Sequence, residues 1–502
     1  MLERGRVFLF LISLVAVVNS ATNGFDSSMM NSFLIMPQYV NYFNLNTTTE
    51  AINVAFINVG GFLGFLYSGW IVDHFGRKWG MAWGAIVTIV GVILQSAAVA
   101  EAMFVIGRFL IGNGMTITAV AAPTYIAEVA HPLHRGVGTS IYNSAWYVGS
   151  LVVAGVSIGT AQLPDTWTWR TPSILQLVPS ALCLAFLAII PESPRWLIYR
   201  DRHDEAFNIL VQYHGNGDRD SSVVHAEFAE IQETLRYEKE HQGLGWKTLV
   251  STRGNRMRLW INVSTAVLSQ FIGSNIASYY LNTVLTDAGY TDENTQLIIN
   301  TLLQLFNLIC AIAGTLLVDK LGRRPLFLLS TSFMAVFMTL LGVLTKYYGS
   351  SANSAASNAI VACVFLFMGG YSFAWTPLSV LYPVEILSFP MRAKGMALNS
   401  GFIYASAFVN TYIIPYAMNG SRGWIFYIGT GIGIDGIALL IIWFWYKETK
   451  NKTLEEMDEI FDGAMHAEVA NVMAVIEGER EMDLEMPLKG LRATVNEKSG
   501  EA

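Results

Sequence analysis

Apolar residues in this chain run in long unbroken stretches of about 20, separated by short polar punctuation. As helix, that length crosses the roughly 30 Å hydrocarbon core of a bilayer. Twelve such spans are predicted, at about 7–28, 51–72, 79–99, 103–127, 137–160, 172–190, 259–283, 295–318, 325–346, 359–384, 393–418 and 424–446. Backbone groups in lipid must bond internally, and the runs are continuous rather than alternating, so they predict helices and not a barrel. The first run follows Arg4 and Arg6 as a signal peptide would. It continues into Asn23-Gly24-Phe25-Asp26 without a small-residue cleavage site, so it is the first span.

The punctuation repeats. After span 2 stands Asp73-His-Phe-Gly76-Arg77-Lys78, and after span 8 Asp319-Lys-Leu-Gly322-Arg323-Arg324. Glu128 precedes Arg135 by seven residues, and Glu385 precedes Arg392 by seven. One bundle built twice is the pattern of carriers that rock one half against the other around a site near the midplane. The expected fold class is an all-α membrane protein of twelve transmembrane helices in two pseudo-symmetric six-helix bundles. The expected layout is an N-terminal bundle at 1–190, a cytoplasmic helical linker at 191–258, a C-terminal bundle at 259–446 and a cytoplasmic tail at 447–502, disordered from about 480. In the linker, Phe228, Ile231 and Leu235 recur at helical spacing and predict short amphipathic helices.

Composition agrees with the pattern: 53% of residues are apolar and 14% charged. Charge then sets orientation. The N-terminus and the 73–78, 320–324 and 392–394 loops all carry Lys or Arg, and 191–258 carries ten, whereas 31–50 and 284–294 carry none. The positive-inside bias puts both termini in the cytoplasm, with the plasma membrane as the expected location. The net charge of −7 gives no reason to expect a nucleic-acid partner. Cys183, Cys310 and Cys363 fall inside spans without metal-ligand spacing, so no metal site is expected. No nucleophile elbow or phosphate loop appears, so no enzyme is expected.

Candidate chemistry lies inside the spans. Asp26 is an acid in span 1, costly there unless it faces water or a partner, and Arg108 early in span 4 is the partner in reach. The pair reads either as a proton-loading site or as a static bridge. Asp73, Arg77, Glu128 and Arg135, with Asp319, Arg323, Glu385 and Arg392, lie at cytoplasmic helix ends. They read as a gate that pairs across the halves on closure, or as caps. Ser269, Gln270, Asn275, Tyr279 and Tyr280 in span 7, Asn307 in span 8, Asn143 and Trp146 in span 5, and Trp375, Tyr382, Tyr404 and Asn410 in spans 10 and 11 mark a solute path. Amides suit hydroxyl rings and aromatic faces suit pyranose C–H faces; interhelical glue is the alternative for each. Gly60, Gly61, Gly64, Gly69, Gly112 and Gly114 are expected close-packing positions, and Asn46-Thr47-Thr48 is a glycosylation sequon.

These marks resemble the sugar porters of the major facilitator superfamily over essentially the whole length. The resemblance is carried by the doubled Asp-x-x-Gly-Arg clusters, Pro123-x-Tyr125-x-x-Glu128 and Pro191-Glu192-Ser193-Pro194-Arg195-Trp196-Leu197. Gln270-x-x-Gly273-x-Asn275 and Glu448-Thr449-Lys450 add to it. Spans 1 and 7 look most like the fungal lactose, cellodextrin and hexose branch. The resemblance implies that Asp26 and Arg108 couple protons, that Gln270, Asn275 and Asn307 bind sugar, and that Glu192 and Glu448 join the cytoplasmic salt-bridge network. It departs from the pattern at Ser269, Asn143, Val380, Tyr404 and Lys447, which alters the expected pocket. The expectation is a monomeric proton symporter of a neutral hexose or disaccharide, with the proton as coupling ion and no cofactor. A facilitative carrier and a non-transporting sugar sensor are the alternatives.

Overall fold

The structure, a computed structural model, describes residues 2–129, 142, 145–215, 217–240, 246–349, 354–387, 389–418, 423–450, 457, 460 and 461. Arg135, Asn143 and the tail beyond 461 lie outside the described residues, as do the side chains of Asp319 and Arg392. The regular elements described are all helical. The long ones of the first half are α1 (Leu2–Ile35), α2 (Thr47–Phe75), α3 (Arg77–Ser96), α4 (Glu101–Val129), α5 (Trp146–Thr160) and α6 (Trp167–Leu187). Those of the second are α7 (Arg253–Phe271), α8 (Glu293–Leu321), α9 (Arg323–Tyr348), α10 (Ser354–Ile386), α11 (Phe389–Met418) and α12 (Gly423–Trp445).

Among the described residues, α2, α3, α4, α6, α8, α9, α10 and α12 are long and apolar enough to cross a membrane. Their outward faces stay bare of protein: Leu316 is 70% exposed and Ile432 64%. Surface of that kind is stable against lipid chains and costly against water.

Three spans differ from the sequence expectation. Span 1 does not end near 28 but continues to Ile35, because Ser27, Ser28, Asn31 and Ser32 are buried against other helices instead of marking a loop. Span 7 is not one helix. Gly273 takes φ +91, a left-handed conformation open to glycine, and the chain restarts as Ser274–Tyr279 and Leu281–Asp287. Span 12 loosens into a π-helical stretch at Gly429–Ile434. In the linker, helices form at Pro194–Tyr199, His203–Tyr213 and Ser222–Glu240. Their apolar faces meet, with Leu235 packed beside Leu197, Ile198 and Ala206.

Within the first half α4 packs on α2 and α3, and α1 on α5; within the second, α10 packs on α8 and α9, and α7 on α11. Across the halves, α2 lies on α11 and α5 on α8. The α2–α4 contact is set by mutual glycines. A Cβ at Gly60 would sit 1.9 Å from the Phe109 carbonyl oxygen, and one at Gly112 1.9 Å from that of Ile57. Backbone touches backbone there, as small residues permit in membrane bundles. Gly61 faces the Tyr404 ring across the halves. Gly69 meets nothing within 4 Å, so it does not share the expected packing role.

The two glycines therefore separate in a thermal unfolding assay on detergent-solubilised protein. Gly112→Val forces the helices apart and costs about 1–3 kcal/mol or blocks folding. Gly69→Ala leaves stability equal or raises it by up to about 1 kcal/mol. Equal loss at both positions would reject this packing.

Candidate functional site

Two arrangements of polar side chains recur at the ends of α2–α3 and α8–α9, called here the basic end. Gly76 ends α2 at φ +104 and Gly322 ends α8 at φ +92, each leaving the next helix without a side-chain N-cap. A distant glutamate supplies it. Glu192 accepts the backbone N–H groups of Arg77 at 3.1 Å and Lys78 at 3.2 Å. Glu448 accepts those of Arg323 at 2.9 Å and Arg324 at 3.0 Å. A carboxylate at a helix N-terminus meets free N–H donors and the positive end of the helix dipole. A Cβ on Gly76 would come within 2.4 Å of Glu192 Oε2, and one on Gly322 within 2.8 Å of Glu448 Oε2. The glycines thus allow both the turn and the carboxylate's approach. Burial raises the Glu192 carboxyl above its ordinary range, opposed by the N–H groups of Ser193 and Lys78 and by Arg77.

The arginines point back toward α4 and α10. Arg77 donates to both Glu128 oxygens at 2.9 and 3.0 Å, and Arg323 to both Glu385 oxygens, the shortest at 2.7 Å. Such paired bonds fix geometry as well as charge. Ser193 Oγ donates to Glu128 and Thr449 Oγ1 to Glu385. Tyr125 donates to the Pro191 carbonyl at 2.9 Å and Tyr382 to the Lys447 carbonyl at 2.9 Å. Tyr382 is therefore a clamp and does not line the solute path expected of it. Asp73 reaches Arg77 at 3.3 Å. The described ion pairs join residues of one half, where the sequence suggested pairing across halves as well; each half carries its own clamp. Ser193 and Thr449 were missed by sequence reasoning, although each directly follows its glutamate in the duplicated motif.

Deeper in the first half, Asp26 and Arg108 meet as expected. Arg108 Nη1 donates to Oδ1 at 2.9 Å and Oδ2 at 3.0 Å, with the side chains 0% and 2% exposed. Gln176, at the turn inside α6, donates to Asp26 Oδ1 at 3.0 Å. Sequence reasoning passed over it, though a buried amide in an apolar span was the available signal. Arg108 Nη2 reaches the Val54 carbonyl at 3.5 Å, and its Nε has no hydrogen-bond partner.

The break that follows α7 at Gly273 gathers several expected binding residues. Asn275 Nδ2 donates to the Gln270 carbonyl at 3.2 Å and to Gln270 Oε1 at 3.4 Å, Gln270 Nε2 donates to Ser269 Oγ at 3.1 Å, and Asn410 Nδ2 donates to the Gln270 carbonyl. Asn307 is fully buried with neither amide atom bonded. Tyr279 is partly buried beside this core, Trp146 stacks edge-on to Tyr147, and Tyr404 lies over Gly61. Tyr280 instead donates to the Thr411 carbonyl at 2.8 Å. Trp375 donates to Thr331 at 3.0 Å and packs on Phe327, a structural role where solute contact was expected. Asn46 caps α2 by accepting from Thr48 and Thr49.

At the end opposite the basic one, the halves are joined. Asn31 bonds Asn300 at 3.0 Å, Asn282 bonds the Leu34 carbonyl at 3.1 Å, and Met29, Met30 and Phe33 are wholly buried.

Residues 12–461 match the model of a family described as sugar (and other) transporters. The chain is 30% identical over 472 residues to a high-affinity glucose transporter of Kluyveromyces lactis, covering 90% of this chain and 85% of that one. It is 28% identical to the high glucose sensor RGT2 of Saccharomyces cerevisiae, covering 93% of this chain and 62% of that protein. Among solved structures, the major facilitator superfamily proton:xylose symporter XylE of E. coli, bound to 6-bromo-6-deoxy-D-glucose, superposes with a TM-score of 0.77 at 23% identity. That likeness covers 91% of this chain and 100% of the other, and it shows the fold.

Because the clamps belong to separate halves, their losses should add. Glu128→Gln and Glu385→Gln are each expected to lower unfolding free energy by about 1–3 kcal/mol. The double variant should match the sum within about 0.5 kcal/mol in detergent unfolding titrations. A strongly non-additive double variant would mean that the clamps interlock.

Proposed function

The chain belongs to the sugar (and other) transporter family and has the major facilitator fold; from that premise we propose that it imports a neutral hexose or disaccharide together with a proton. In this reading it works as a monomer in the plasma membrane, with the basic end and both termini in the cytoplasm, and performs no enzymatic step. The observation that carries the proton reading is the enclosed triad of Asp26, Arg108 and Gln176. A charge pair so far from water costs several kcal/mol of desolvation that its attraction must offset. Protonating Asp26 removes the charge that Arg108 Nη1 faces and leaves a buried guanidinium short of partners. The bundle then gains free energy by rearranging to hydrate or re-pair it.

The amides around the α7 break supply the sugar contacts. Gln270, Asn275, Asn410 and Asn307 each offer donor and acceptor atoms to hydroxyls, with Ser269, Tyr279, Tyr280, Trp146 and Tyr404 around them. Asn143 is proposed on sequence alone. Alternating access follows if the basic end opens while the far end is joined, as in the arrangement described, and the reverse. The clamps of Arg77–Glu128–Glu192, with Asp73 on Arg77, and of Arg323–Glu385–Glu448 would hold together the helix ends they join as each half turns. Arg135, Asp319 and Arg392 are proposed as gate residues on sequence alone.

In proteoliposomes, sugar addition should carry protons inward with the wild type. Asp26→Asn should lose accumulation driven by a pH gradient and keep sugar exchange at equilibrium. Sugar flux without proton movement would replace the proposal with facilitated transport. Absence of any saccharide flux would favour a sensor.

A further inference from the structure

The middle of α8 carries three amides on one face, Asn300, Gln304 and Asn307, all 3% exposed or less. Spacings of four and three residues align them over ~10 Å of helix. Asn31 of α1 joins them from the other half. Their donors converge: Asn31 Nδ2 at 3.0 Å and Gln304 Nε2 at 3.2 Å both bond Asn300 Oδ1, while Asn300 Nδ2 reaches Ser32 Oγ at 3.5 Å. What remains is a surplus of acceptors. Asn31 Oδ1, Gln304 Oε1 and Asn307 Oδ1 have no hydrogen-bond partner, nor does the Asn307 amino group.

Amides serving only to join helices would pair their carbonyls as well as their amino groups, since an unmet acceptor away from water is costly. Three unmet carbonyl oxygens in one stripe call for a ligand rich in O–H donors. An anion would bring more acceptors, and a cation would leave the Asn307 amino group unmet; a neutral hydroxyl donates and accepts, so it meets both needs. Asn307 already stands among the residues assigned to sugar contact, and the stripe extends from it toward the joined end. We propose that Asn31, Asn300 and Gln304 form a second hydrogen-bonding subsite that takes the second ring of a disaccharide. The inference rests on the sugar-transport reading above and specifies its substrate class. In the closed arrangement the amides bond one another across the halves; separating α1 from α8 frees them for the arriving ligand.

The test compares cellobiose and glucose in proteoliposomes holding the full chain, for the wild type, Gln304→Met and Asn31→Ala. Glucose uptake in the same vesicles reports folding of each variant. The ratio of cellobiose KM to glucose KM should rise roughly five- to tenfold in each variant, the loss of one hydrogen bond to one ring. An unchanged ratio overturns the subsite. So does a wild type that carries glucose yet neither carries cellobiose or lactose nor is competed by them, and in that case the sugar reading stands. A wild type that moves no saccharide overturns the sugar reading first and the subsite with it.

Discussion

A polar group inside a bilayer-spanning bundle has no water to fall back on, so its partner must come from the protein. That constraint accounts for the hydrogen-bonding of the buried charged side chains and of the helix ends described above. Arg108 is wholly buried and is matched by Asp26, which is matched again by Gln176. The helix N-termini at Arg77 and Arg323 open at the edge of the same low-dielectric region, and each draws a glutamate from more than a hundred residues away. Where the matching is incomplete, as at Asn307 and Gln304, the shortfall itself becomes informative.

The same constraint explains why the duplication survives in such detail. In each half a glycine turn, a glutamate cap, an arginine, a second glutamate, a hydroxyl and a tyrosine form one closed circuit. Removing one member takes a hydrogen bond from each group it touches, as Glu128 is shared by Arg77 and Ser193 and Glu385 by Arg323 and Thr449. Ser in one half and Thr in the other do the same work, since only the hydroxyl takes part. A circuit of this kind ties α2, α3 and α4 in one half, and α8, α9 and α10 in the other, to the segment that follows the last span of that half.

Much of the architecture was legible beforehand for a simple reason. Hydrocarbon thickness dictates span length, and motif repetition reveals the duplication. The Asp26–Arg108 pair was legible for the same reason, since two opposite charges in apolar spans have few other places to go. Less visible were departures that local sequence does not encode. The break at Gly273 looks in sequence like one more small residue in a span, and Gln176 like one more isolated amide. Trp375 and Tyr382 read as pore-lining aromatics until packing turned them onto Thr331 and the Lys447 carbonyl.

By itself, then, the sequence determined that this chain folds as helices in a membrane, that the bundle is doubled, and that Asp26 and Arg108 stand as opposite charges within apolar spans. These follow from transfer free energies and repeat spacing, which are properties of the residues taken one segment at a time. Tertiary structure alone decided which partner each group found: clamps within a half, Gln176 on Asp26, and surplus carbonyls along α8. Partner choice depends on where helices cross and how they rotate, set by glycine contacts and close packing between segments far apart in the chain.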